Sequence, residues 1–327
     1  MTMHLVLGGA GFLGRHVVRS LLMRGDEVTV ADRTYFPALC DLPPPKVVMI
    51  DLARATGSEL DDLVSSADVI HNYAWSTIPQ TANADPLADL VGNVGLVIKL
   101  LEAVRRRGGG RIIFSSSGGT VYGRLRSVPV PETHALAPLT AYGASKVSAE
   151  TYLNYYRELY GLDTRVARIA NPYGAGQRIE RLQGVVTTIV HRALSGDSIE
   201  IWGDGEAIRD FIHISDATNA LLSIADALES TDRSPFLFNI GSGTGSSINH
   251  ILAIIERRLE RKIAVLHRPG RLFDVPISVL DISKIKQAFA WRPEFSLETG
   301  ISEMFDDLEE DPARLFSSRV RLSDRTG

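Results

Sequence analysis

The segment that most restricts the fold is Gly8-Gly-Ala-Gly-Phe-Leu-Gly14, set between a short apolar run and an amphipathic one near the start of the chain. Gly8, Gly11 and Gly14 recur every third residue. A turn that carries backbone against a pyrophosphate has no room for a Cβ. The helix that follows offers unpaired N–H groups and the positive end of its dipole. In a strand–turn–helix setting this spacing reads as a dinucleotide cradle, with Phe12 and Leu13 among its cofactor-binding residues.

The rest of the chain extends that beginning. Apolar strand patterns fall at 4–7, 27–31, 46–50, 69–71, 111–115 and 164–168, and helical patterns at 14–24, 87–107 and 142–160. Gly25 is a C-terminal stop for the first helix. Strands alternating with helices predict an α/β protein with a Rossmann-type, doubly wound parallel sheet. After Asn171 the pattern loosens, with a helix expected at 187–195, strands at 199–202 and 236–240, a helix at 248–260 and a strand at 263–267. The expected division is a dinucleotide domain over 1–170, with 205–245 returning to it. A smaller α/β substrate lobe is expected over 171–204 and 246–311, with a loosely ordered Arg- and Ser-rich tail over 312–327.

Composition removes several classes. With a net charge of −4 and the two signs interspersed, the chain has no basic block for nucleic acid. Cys40 is the single cysteine, which excludes an intrachain disulfide framework and reads as a bystander. The eight histidines show no metal-ligand spacing. No apolar run reaches the ~18 residues of a membrane span, and the opening stretch is too short for a signal peptide. The expectation is a soluble cytoplasmic protein.

Asp32, at the end of the second strand, would accept hydrogen bonds from the adenosine ribose. Its charge repels a 2′-phosphate, which favours NAD over NADP, although the adjoining Arg33 would neutralise such a phosphate or stack on adenine. Asp51-Leu52 ends the third strand, where the carboxylate would meet the adenine amino group or cap a helix. Tyr142 and Lys146, four residues apart, leave one helix face together. A phenol is a poor base at neutral pH, and an adjacent ammonium and a cationic nicotinamide would favour its ionised form. Ser115-Ser116-Ser117 ends the fifth strand, where a parallel sheet presents its ligands, and a hydroxyl there would relay a proton between substrate and tyrosine.

These stretches, with Asn93-Val94, SSSGGTVYG (115–123), Arg168-Ile-Ala-Asn171-Pro-Tyr-Gly174 and WGDGEAIRDFIHISDA (202–217), resemble the extended short-chain dehydrogenase/reductases of the nucleotide-sugar epimerase/dehydratase family, from residue 3 to about 305. The resemblance implies that Asn171 contacts sugar or diphosphate and that Arg209 and Arg268 grip the diphosphate. It implies that Asn93 supports the active-site backbone or a water, and that Gln183 to Val186, Val185 among them, cover the nucleobase. Tyr73, Ala74 and Ser115 would lie along the cofactor. It further implies a homodimer built on the helices at 87–107 and 142–160, with Leu96, Leu100, Val147, Tyr152 and Tyr155 at the interface. Two departures stand out. An extra glycine in Gly118-Gly119 leaves Ser117, with Thr120 as runner-up, for the catalytic hydroxyl. Tyr73 follows His71 where the family prefers small residues, which would narrow the cofactor or sugar pocket.

The family's dehydratases carry an Asp-Glu pair after the catalytic threonine, and its decarboxylases a glutamate nearby. Gly118, Gly119 and Thr120 cannot titrate. The expected activity is therefore 4-epimerisation of a UDP-hexose or UDP-N-acetylhexosamine through a 4-keto sugar. A 4,6-dehydratase or 4-keto reductase is the alternative enzyme, and an NAD-sensing scaffold the alternative without catalysis.

Overall fold

The computed structural model describes residues 2–36, 39, 42–177, 184–227, 237–270 and 275–310. Cys40, Gln183, Phe236 and the tail 312–327 lie outside the described residues. In chain order, β1 (Met3–Leu7) leads through the glycine turn to α1 (Phe12–Met23), β2 (Glu27–Asp32), β3 (Lys46–Met49), α2 (Gly57–Val64) and β4 (Val69–Asn72). Then come α3 (Pro79–Ala84), α4 (Pro86–Asp89), a π-helical turn Leu90–Val94, α5 (Gly95–Arg107), β5 (Arg111–Ser117), α6 (Ala141–Tyr160), β6 (Asp163–Ile169) and β7 (Asn171–Tyr173). The second half has α7 (Val185–Ser195), β8 (Ile199–Trp202), β9 (Ile208–His213), α8 (Ile214–Asp226), β10 (Leu237–Ile240) and β11 (Gly245–Ser246). It closes with α9 (Ile248–Leu259), β12 (Val265–Arg268), β13 (Ile277–Ser278), α10 (Ser283–Phe289) and α11 (Leu297–Glu310).

Seven strands form one parallel sheet in the order β10-β6-β5-β4-β1-β2-β3. This is the Rossmann-type doubly wound sheet, and its strand order reverses between β1 and β4. Alternation along β1 sends Val6 to a core shared with α1 and α8, and Leu5 and Leu7 to a core shared with α2, α5 and α6. Leu96 and Leu100 are buried in that second core. This corrects their placement at a subunit interface: their face of α5 is the one turned to its own sheet.

The remaining strands form two small sheets: β11-β9-β13 with β7 alongside β9, and the pair β12–β8. Residues 205–245 therefore do not return to the dinucleotide domain as one block. Helix α8 packs on α1 and β10 joins the main sheet, whereas β9 stays with β7, β11 and β13. Asp210 is the pin. One carboxylate oxygen accepts from the Ser242 N–H and hydroxyl at 2.8 and 2.7 Å, and the other from Leu280 N and Gly243 N at 3.2 and 3.3 Å. A buried carboxylate persists only when its lone pairs are met in this way. A third core, of α7, α9, α11 and β8, fills the lobe beyond it.

Among the described residues no helix is long and apolar enough to cross a membrane, and no group of three or more His, Cys, Asp or Glu side chains could hold a metal.

Candidate active site

The glycine turn lies at the reversal point of the sheet. Gly8 has φ +76°, and a Cβ on it would sit 2.7 Å from Ala74 N, at the end of β4. A Cβ on Gly14 would sit 2.3 Å from Gly8 O. The turn is thus closed on the protein side, and the backbone itself is its outer surface. Gly11 caps α1 without a side chain, and no acid stands in the first turn of that helix. The opening amides at Phe12, Leu13 and Gly14 are left for an anion, and the cradle fits a dinucleotide pyrophosphate. Asp32 accepts from Ala10 N at 3.0 Å and from Thr34 N at 2.9 Å, which fixes its carboxylate beside the turn, with Arg33 exposed next to it. Asp51 accepts from Ala53 N at 3.2 Å and lies 3.7 Å from Arg54, while Leu52 is buried. The cap of α2 is Thr56, in a reciprocal box with Glu59, so Asp51 is no helix cap.

Helix α6 starts at Thr140, whose hydroxyl accepts from Gly143 N at 3.1 Å. From there Tyr142, Lys146 and Glu150 descend one face. The lysine Nζ donates to Ser115 O at 2.8 Å and lies 3.6 Å from the centre of the Trp75 ring. The Tyr142 ring is 6.0 Å from Trp75, edge to face, and its hydroxyl makes no hydrogen bond among the described residues. Burial pushes the phenol well above its usual range, and the charge of Asp89 adds to the rise. Burial pulls Lys146 down to about 7 against the opposing charges of Glu150 and Asp89. The expectation has the ammonium and a cationic nicotinamide together favouring phenolate, and burial opposes both. Lys146 is turned to the end of β5 and to Trp75, so the cationic nicotinamide is the remaining charge that would favour phenolate.

Glu150 accepts from the Ser116 hydroxyl and pairs with Arg168 at 2.6 Å, and Arg168 also donates to the Tyr122 hydroxyl at 2.9 Å. This buried network fixes α6 against β5 and β6, and it uses up Glu150 as an acid. Ser117 is in register with Ile169, and Gly118 N continues the ladder to Ile169 O at 2.8 Å. A Cβ on Gly118 would lie 2.5 Å from the Leu280 side chain, a packing reason for the extra glycine. The Thr120 hydroxyl is buried with no partner among the described residues, and the Thr120 backbone lies against Gly143 at the start of α6.

Asn93 sits in the π-helical turn, a distortion often found at functional sites. Its Oδ1 accepts from Ser76 N and Oγ at 2.8 and 3.0 Å, and its Nδ2 donates to Asp89 Oδ1 at 2.9 Å. It thereby holds the loop that carries Trp75. Tyr73 does not narrow the pocket in the expected way. Its ring packs on the core beneath α1 and α8, its hydroxyl lies 2.9 Å from His71 Nδ1, and Trp75 is the bulky side chain that meets the dyad.

On the substrate side Asn171 donates to Asp210 O at 2.8 Å, and Val185 stands exposed at the start of α7. Arg209, on β9, donates to Ile208 O at 2.9 Å. Arg268, at the end of β12, is exposed and paired with Glu200 at 2.8 Å. The two arginines lie on different small sheets, each with a partner of its own. The sequence reading missed Trp75, Asp89 and Glu150. Glu150 had a legible signal, the continued four-residue spacing from Tyr142. Trp75 had only its bulk in a loop after β4, and Asp89 had none.

Fold and site together define a dinucleotide-binding protein with a tyrosine–lysine dyad at the carboxyl edge of its sheet. The model of the NAD dependent epimerase/dehydratase family matches residues 4–241, and the chain belongs to that family, with NAD as its cofactor. It is 30% identical to a UDP-glucose 4-epimerase of Mycolicibacterium smegmatis over 91% of this chain and 96% of that one. It is also 30% identical to a dTDP-4-dehydro-6-deoxyglucose reductase of Escherichia coli, over 93% of this chain and 96% of the other. The solved UDP-glucose 4-epimerase of Thermotoga maritima, with UDP-glucose, superposes with a TM-score of 0.86 at 31% identity, covering 94% of this chain and 99% of that one.

Proposed function

We propose that this protein is a nucleotide-sugar 4-epimerase acting on a UDP-hexose or UDP-N-acetylhexosamine. The observation that carries the reading is the dyad standing beside the glycine cradle while the segment after β5 offers only Ser117, Gly118, Gly119 and Thr120. Such a site can move one proton at a hydroxyl, and the segment after β5 offers no acid to eliminate water across C5 and C6 or to assist loss of a carboxylate. Bound NAD supplies the acceptor and the donor of hydride at C4. Tyr142 would take the proton of the C4 hydroxyl and give it back to the C4 oxygen once hydride has returned to the other face of C4. Ser117 orients that hydroxyl, with Thr120 the second candidate. Lys146 would hold the nicotinamide ribose, its ammonium 5.6 Å from the centre of the Tyr142 ring. Asn171, Arg209, Arg268 and Val185 hold the diphosphate and nucleobase, and the 4-keto sugar turns between them.

The same reading includes a homodimer. Leu87, Val91, Tyr152, Tyr155 and Leu159 are exposed on α4, the π-helical turn and α6, a contiguous pair of helical faces suited to a two-fold contact.

Incubation with UDP-glucose and with UDP-N-acetylglucosamine, followed by NMR of the sugar ring, tests the activity. The expected outcome is the C4 epimer with no net change in NADH. A 4-keto-6-deoxy sugar or a pentose would overturn it. A monomer mass by light scattering at micromolar concentration would remove the dimer.

A further inference from the structure

The indole of Trp75 lies across the dyad. Its ring centre is 3.6 Å from Lys146 Nζ, 6.0 Å from the Tyr142 ring and 5.9 Å from the Phe114 ring. At 3.6 Å a lysine ammonium rests on the face of the ring, the arrangement in which an aromatic quadrupole attracts a cation most strongly once water is excluded. The lysine has three N–H groups. One goes to Ser115 O and a second faces the indole, which leaves one uncommitted. A tryptophan that only fills a core finds a partner for its N–H. Here Nε1 is buried and makes no hydrogen bond among the described residues, so none of them sets the position of the ring through its polar atom.

We propose that Trp75 is a positioning residue of the candidate active site, whose indole face clamps the Lys146 ammonium against the Ser115 carbonyl and keeps it charged. Burial disfavours a charged lysine, and the opposing groups are few: Glu150 one turn along α6, Asp89 on α4, and the Trp75 face from the loop after β4. Glu150 is itself neutralised by Arg168 at 2.6 Å, so its pull on the lysine is shared. Phe114, with its ring centre 4.8 Å from Nζ, adds a second and more distant aromatic face. Tyr142 contributes no charge while its phenol is protonated. The indole is therefore the neutral group best placed to hold the ammonium.

The clamp also explains the loop geometry. Asn93 and Ser76 fix the backbone one residue beyond Trp75 with bonds of 2.8 and 3.0 Å, which converts the π-helical turn into a support for the ring. The role of Lys146 in turnover rests on the epimerase reading, whereas its charge state does not.

The test is a side-chain NMR titration of the full-length protein labelled with 13Cε-lysine. The chain has few lysines (Lys46, Lys99, Lys146, Lys262, Lys284 and Lys286), and the Lys146 signal is assigned by its loss in Lys146→Met. In Trp75→Leu, which keeps an apolar neighbour without the quadrupole, the Lys146 midpoint should fall by about half to one and a half pH units. In Trp75→Phe it should fall by less. An unchanged or raised midpoint in the Phe variant, or in a Leu variant that melts cooperatively, overturns the proposal. This readout needs neither substrate nor turnover, so it stands apart from any failure to find an epimerase substrate. Where turnover is found, the alkaline limb of the kcat/KM profile should move down with the midpoint, and a limb that stays in place would show that the clamp does not govern Lys146 in the reaction.

Discussion

The two sides of the cleft are built differently. On the cofactor side the functional surface is backbone: the glycine turn, the first amides of α1 and the end of β4, held by contacts that no side chain could replace. On the proposed substrate side the candidates are side chains from separate sheets, Asn171 on β7, Arg209 on β9 and Arg268 on β12, each with a protein partner of its own. A backbone site tolerates almost no local substitution, and beside it only Asp32 would read what the cofactor's adenosine ribose carries. A side-chain site can be retuned one residue at a time. Relatives of about 30% identity are named for different reactions, one a UDP-glucose 4-epimerase and one a dTDP-4-dehydro-6-deoxyglucose reductase.

Substitutions on the cofactor side should act on everything at once, and Tyr142→Phe is the informative exception. Loss of a positioned proton-transfer group should lower kcat by about 10²–10⁴-fold, while NAD binding, followed by calorimetry, stays within a factor of about three. A variant that turns over at the wild-type rate would remove the phenol from the chemistry. Glu150→Ala leaves the Arg168 guanidinium buried without its partner and should cost about 3–5 kcal/mol of stability in urea titration. A cost under about 1 kcal/mol would mean that the network does not hold α6. Gly14→Ala drives a methyl into Gly8 O and should cost about 1–3 kcal/mol of stability with NAD affinity falling at least tenfold. On the other side of the cleft, Arg209→Ala should raise KM for the nucleotide sugar roughly tenfold with NAD affinity unchanged, since one charge-assisted contact to phosphate is lost. Arg268→Ala should have a smaller effect, because this exposed group must first leave Glu200. A loss of NAD affinity in either arginine variant would break the division between the two sides.

The smallest effect expected is on the pH dependence of stability. His71 and His4, joined at 3.0 Å beneath the cofactor turn, are held below the ordinary histidine range by burial, and His213 in the lobe is pulled down to about 4 by the same cause. The unfolded chain then binds more protons than the folded one below about pH 6.5. Stability is complete above that value and is lost as pH falls towards the folded-state values. Asp210 and Asp216, raised by burial, act with the opposite sign but only nearer the carboxylate range. The urea midpoint should therefore drop between pH 7.5 and 5.5, and a flat or rising midpoint would contradict the neutral buried histidines.

The cofactor half could be read from the sequence because its signals are local. A strand, three evenly spaced glycines and the start of a helix within the first fourteen residues specify one turn, and Tyr142 with Lys146 specify one helix face. The parts that escaped depend on contacts between distant segments. Trp75 meets Lys146 only because β4 and α6 converge at the carboxyl edge of the sheet. Asp89 joins Asn93 and the 76–77 loop only because the helix widens into a π turn. Leu96 and Leu100 follow the same apolar spacing whether they face a sheet or a partner subunit, so periodicity alone could not orient α5. The direction of the Tyr142 shift was likewise hidden. Charge spacing along a helix predicts attraction, whereas the degree of burial, which decides the sign here, is a property of the assembled fold.

The account centres on reversible oxidation at C4, with hydride leaving and returning inside one closed site. UDP-glucose deuterated at C4 tests that most directly, with the product read by NMR and mass. Inverted product that keeps its deuterium, with no exchange into solvent, is the result predicted. Inversion with loss of the label, or inversion at another carbon, would contradict it.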